Sequence, residues 1–222
     1  ITFAKSNGSE TLAVDDLVRW GTPSDPRGGT LLVMGQGAVV VAAEVTLENS
    51  RVTFDSALLG EVTLPTENLR GMVLNPPASP ALKDKLIQRI ANHTGTTDQL
   101  LLVNGDELTG TITEINDLDI TINANVGEID VAKSRVEALL LNSTFFDPGP
   151  AKATGIWVGL SDGSRILASR AELSAETLSL ALPEQATWQA PANALVWLQP
   201  LGARVVYLSD LEPAGYRQIP LL

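Results

Sequence analysis

Three glycine-centred turns stand at almost the same distance from an apolar residue downstream. From Gly37 to Leu69 is 32 residues, from Gly105 to Val136 is 31, and from Gly163 to Leu195 is 32. Each turn follows a short apolar run: "LLVM" at 31–34, "LLLV" at 100–103 and "IWVGL" at 156–160. Equal spacings of this size are the signature of an internal repeat in which one supersecondary unit recurs. The middle copy is the clearest. "LLLVNGDELTGTITEIND" reads as a strand, an Asn104-Gly105-Asp106 turn, an alternating strand and a second turn at Asn116-Asp117. Ile120 and Ile122, then Ile129 and Val131, then Val136 to Leu141 complete about five strands over 100–141. Val52 and Phe54 take the places of Ile120 and Ile122 in the first copy, and Gly60-Glu61 that of Gly127-Glu128.

Five twisted strands with short turns in about 45 residues predict a small SH3-like or Sm-like barrel. One such barrel buries too little surface to be robust alone, and stacking in series lets neighbours share apolar faces. The expected fold is therefore mainly β, tandem small SH3-like/Sm-like barrels with one inserted α-helix. The expected boundaries are a partial repeat and connector at 1–29, barrels at 30–75, 100–142 and 156–200, a helical insertion at 76–99, a linker at 143–155 and a tail at 201–222. In the partial repeat, Ile1 and Phe3 align with a third strand, Leu12 and Val14 with a fourth, and Leu17 to Trp20 with a fifth. A third strand without a partner on one side is an edge open to pairing.

The insertion breaks the β pattern. Pro76, Pro77 and Pro80 stop the strand, Ser79 with Pro80 behind it reads as a helix start, and Gly95 as a stop. Leu82, Leu86 and Ile90, with Ile87 beside them, predict a helix of about 12–14 residues whose apolar stripe packs on the barrels. In the linker, Phe145 and Phe146 are expected to tuck against a barrel.

Charge and composition exclude several functions. A net charge of −11 repels phosphate backbones and anionic membranes, so nucleic acid is not an expected partner. The barrel likeness does not bring RNA binding with it: Asn104 to Glu137 carries eight acids against Lys133 and Arg135. Without cysteine there is no disulfide, thiolate metal site or cysteine nucleophile. No apolar run is long enough to span a membrane, and no signal peptide is visible. A start at Ile1 points to a processed or trimmed terminus, upstream of which an export signal could have stood.

His93 is the only histidine, placed near the helix end as a surface or capping group, and no nucleophile motif accompanies it. Asp15-Asp16, Asp106-Glu107, Asp117/Asp119 and Asp210/Glu212 could offer oxygen ligands to Ca²⁺, but none has the EF-hand spacing, and turn or solvated positions account for them. No catalytic, cofactor or metal residue is assigned. Of Trp20, Trp157, Trp188 and Trp197, whose rings could stack on sugars, most read as core; Trp188 in "EQATWQAP" is the one expected to be exposed and is the weak ligand-binding candidate. Asn7, Asn92 and Asn142 begin glycosylation sequons, a short and frequent pattern not expected to be used.

The words "DLVRWG", "NPPASPALKDKL", "NGDELTGTI" and "VVYLSDLEPAGY" resemble the region that precedes the NPCBM class of carbohydrate-binding module in large planctomycete proteins. The likeness covers almost the whole chain, while the module itself begins around the last residues, so no sugar-binding residue carries over. With the repeat, it leads to the expectation of a non-enzymatic, exported scaffold or interaction region at the cell surface or periplasm, whose strand edges or incomplete first barrel allow self-association. The alternative is an accessory region that presents a C-terminal glycan-binding module. A hydrolase is disfavoured, since no base–nucleophile pair can be assembled.

Overall fold

A computed structural model describes residues 2–5, 8–11, 17–26, 28–147, 155–182 and 186–201; for 2–5 and 8–11 it describes the backbone. The chain is mainly β, with one α-helix among the described residues. In the N-terminal part, β1 (Thr2–Lys5) and β2 (Gly8–Thr11) form an antiparallel hairpin, and β3 (Trp20–Gly21) follows. Register Lys5↔Gly8 leaves two residues between the strands, the tightest common hairpin spacing. Leu12 and Val14 lie outside the described residues.

Three stretches then repeat one order of elements. The first holds β4 (Thr30–Met34), β5 (Val39–Ala42), β6 (Glu44–Glu48), β7 (Arg51–Ser56), β8 (Gly60–Pro65) and β9 (Leu69–Val73). Helix α1 (Pro80–Ala91) separates it from the second, which holds β10 (Asp98–Leu102), β11 (Glu107–Ile115), β12 (Asp119–Ala124), β13 (Gly127–Ala132) and β14 (Val136–Leu140). The third holds β15 (Gly155–Leu160), β16 (Arg165–Ala168), β17 (Arg170–Leu173), β18 (Thr177–Ala181), β19 (Thr187–Pro191) and β20 (Leu195–Leu201). In each unit the first strand pairs with the last and with the second, and a 3₁₀ turn precedes the last strand. The second strand bends: it breaks at Ala43 and Ser169 in the outer units and shifts register between Ile112 and Glu114 in the middle one. The bend lets one sheet fold over its own core. Gly37, Gly105 and Gly163 all sit at positive φ (84°, 90° and 93°) in the first turn, which explains the even glycine spacing.

The units are joined edge to edge. The last strands β9 and β14 pair antiparallel, Val73↔Ala138 to Gly71↔Leu140, so two units share one sheet. The last strand of the third unit, β20, pairs with β3 through Trp197↔Gly21 and Leu198↔Trp20. Single bridges Arg165↔Val39 and Ile115↔Leu47 tie the second strands of neighbouring units.

The shared sheet is covered on both faces, which is why its strands are nearly continuous apolar runs. One face, with Leu32, Met72, Leu100 and Leu139, points into the main core formed with Phe54, Ile120, Val158 and Leu180. The other, with Leu31, Val33, Val73, Leu101, Ala138 and Leu140, lies under Ile87 and Ile90 of α1. The helix has Ser79 at its N-cap and Pro80 in its first turn, as expected, but ends at Ala91 with Asn92 as cap, ahead of Gly95. Its buried side is also rotated from the expected stripe. Lys83, Ile87 and Ile90 face inward, whereas Leu82 is exposed. Lys83 can take the inward place because its stem packs while its ammonium donates to the Pro26 oxygen at 2.8 Å. A side chain on Gly71 would collide with the Leu139 carbonyl and with Ile90, so glycine there permits the close contact of α1 with the joint.

Candidate functional site

Strands β6 and β11 meet at Leu47↔Ile115 and then part. The space between them is a cleft of about 390 Å³ at the junction of the first two units, within the size range of small-ligand sites. One wall is the Asn49-Ser50 hairpin turn, both residues at positive φ (51° and 58°), the conformation that a two-residue hairpin requires. The opposite wall is β11, which turns Thr111 and Thr113 outward while Ile112 enters the core. The floor and far wall are Thr96-Thr97 after the helix and the 141–146 segment.

Buried Asp98 fixes this geometry. Its two carboxylate oxygens accept the main-chain N–H groups of Ile112 at 2.8 Å and Asn142 at 2.6 Å, so the charge is satisfied inside the protein and is not offered to the cleft. Asn142 accepts from Thr144 N and Thr144 Oγ1, and Ser143 donates through N and Oγ to the Gly95 oxygen, which pins the segment to the loop after α1. Phe146 is anchored under the Arg70 guanidinium, 3.9 Å from the ring centroid, and against Gly35. Its neighbour Phe145, expected to tuck against a barrel with it, is 74% exposed at the cleft rim. Phe145 closes the 3₁₀ turn Ser143–Phe145, and Phe146 follows it in extended backbone.

The remaining candidates separate clearly. Trp188, expected to be exposed, is buried and packs edge-on against Phe54, with centroids 6.1 Å apart at 78°. Strand alternation is the reason: in β19, Trp188 and Ala190 face the core while Thr187, Gln189 and Pro191 face out. Its ring offers no stacking face to a sugar. Trp197 is also buried, and together with half-buried Trp157 it borders a second cleft of about 500 Å³ between the third unit, α1 and residues 23–26. Trp20 stands exposed on β3.

His93 caps the helix with its main chain, donating N–H to the Ile90 oxygen at 3.1 Å, while its ring folds onto Gly95 and leaves Nε2 buried without a partner among the described residues. Asp106 is taken up by the Asn104 turn, and Glu107 pairs with Arg89 at 2.7 Å on the surface. Asn116 closes the turn beside Asp117 and Asp119. Asp15-Asp16 and Asp210/Glu212 lie outside the described residues. Among the described residues, no group of three His, Asp or Glu side chains is placed to hold a metal ion.

Sequence reading missed the cleft, because its lining comes from separate stretches of chain that only the unit junction brings together. The signal within reach was the hydroxyl-rich "HTGTTD", followed by outward threonines on the alternating strand "TGTIT". No protein-family model and no curated protein matches the chain.

Proposed function

We propose that this chain is a non-enzymatic structural and interaction region, exported to the periplasm or cell surface, in which tandem SH3-like/Sm-like barrels form a scaffold that self-associates through strand edges. The observation that carries the reading is the use of strand edges inside the chain. Last strands pair with last strands at β9–β14 and β20–β3, so the units assemble by sheet extension. The bent second strand and the 3₁₀ turn before the last strand support the barrel assignment. Among the described residues, no helix is long and apolar enough to cross a membrane.

The fourth strands β8, β13 and β19 keep an outer edge unpaired among the described residues. Their outward residues differ. β8 carries Glu61, and β13 carries Glu128 and Asp130, charges that discourage pairing. β19 presents Thr187, Gln189 and Pro191 without charge. It is the edge on which a second copy would add, through the outward main-chain groups of Thr187 and Gln189.

Sedimentation velocity over a concentration series, at an ionic strength that screens the −11 charge, tests this. The weight-average mass rises with concentration, and Gln189→Pro, which removes one outward N–H from an edge position that tolerates proline, suppresses the rise. A single 23.5 kDa species at every concentration would overturn the reading.

A further inference from the structure

We propose that the cleft between the first two units binds a neutral saccharide. Three observations carry this, and none depends on the scaffold reading. First, the cleft is uncharged in a strongly acidic protein. The one ionisable side chain in its lining, Asp98, is buried and spends both oxygens on main-chain N–H groups. A site for a cation, an anion or a charged peptide would present a counter-charge, and this one does not. Second, the lining is rich in groups that both donate and accept. Among the described residues, the hydroxyls of Ser50, Thr96, Thr97 and Thr111 make no hydrogen bond, and Asn142 lies among them. Such groups match a ligand made of hydroxyls and leave its hydrogen bonds satisfied on binding. Third, an exposed aromatic ring stands at the rim. Phe145 is 74% exposed, yet its backbone is held by the Asn142 and Ser143 bonds and by its anchored neighbour Phe146.

A pyranose combines the two kinds of surface this cleft offers. Its C–H face stacks on a ring, and its equatorial hydroxyls point sideways into donors and acceptors. A purely apolar ligand would leave the hydroxyls unpaired at a cost, and a purely polar one would gain nothing from Phe145. The cleft volume of about 390 Å³ and its open form suit a short oligosaccharide lying across the junction.

The test is an amide chemical-shift titration of the full chain with neutral trisaccharides built from glucose, mannose, galactose and N-acetylglucosamine. The expected result is saturable movement of the Ser50, Thr97, Thr111 and Phe145 amides with at least one of them, and none with trigalacturonate. Phe145→Ala, at an exposed site where the fold does not depend on the ring, weakens binding about tenfold, and Thr111→Val weakens it less. Failure of all four sugars to move these amides would overturn the proposal, as would movement confined to other regions or a Phe145→Ala variant that binds unchanged.

Discussion

The hydroxyl oxygen of Ser164 accepts the main-chain N–H of Val41 at 2.9 Å, across 123 residues and inside the protein. Ser164 is itself buried and belongs to the first turn of the third unit, whereas Val41 is on β5 of the first. Beside it, Arg165 Nε donates to the Gly37 oxygen at 2.9 Å. The two contacts join the units where the sheet contributes only one bridge. In Ser164→Ala the Val41 N–H keeps its burial and loses its acceptor, so chemical denaturation should report a loss of about 1–3 kcal/mol. Exchange of the Val41 amide should quicken more than that of Leu100 in the core of the middle unit. Unchanged stability and unchanged Val41 exchange would show that this contact does not hold the units together.

Asp98 has the same kind of role at the other junction, with a charge in it. Asp98→Ala strands two buried N–H groups and should cost about 3 kcal/mol, well above the average of about 1 kcal/mol for a point substitution. Asp98→Asn keeps one acceptor and should fall between. Differential scanning calorimetry of the three proteins gives the order directly, and equal melting temperatures would contradict it.

Lys133 reaches from the 3₁₀ turn of the middle unit to the Val45 oxygen, 3.0 Å away in the first unit. Burial of its stem and head holds its pKa below the usual lysine value, partly opposed by the nearby Asp117 and Glu44 carboxylates. In the window between the lowered folded value and the ordinary unfolded one, the unfolded chain binds the extra proton. Stability contributed by this group is therefore full above the unfolded value and is lost as pH falls through the folded one. Urea titrations across that alkaline window should show the native protein gaining stability, relative to Lys133→Met, as pH rises. A difference between the two that does not vary with pH would contradict the assignment.

What was legible in the sequence follows from these contacts. The repeat could be read because its marks are local: a positive-φ glycine in each first turn, and inward residues such as Val52 and Phe54 or Ile120 and Ile122 at period two. The helix could be read from Ser79-Pro80, but not its orientation. Hydropathy favours Leu82 as a buried residue, whereas the Pro26 carbonyl selects Lys83. Trp188 was misjudged from its polar neighbours; alternation along "TWQAP" already places it inward. The pairing of β9 with β14 and the cleft beside it depend on how units dock, and no single stretch of chain encodes that.

The most direct test of this account is native-state hydrogen exchange at the β9–β14 seam. Leu74 N–H bonds to the Glu137 oxygen and Leu141 N–H to the Arg70 oxygen, each at 2.9 Å, and alternation then places Met72 and Leu139 as mutual partners. The account predicts that these amides exchange only through global unfolding, with the same opening free energy as Leu32 and Leu100 within the units. Fast exchange at the seam while Leu32 and Leu100 stay protected would mean that the units separate on their own, and would contradict the fused sheet.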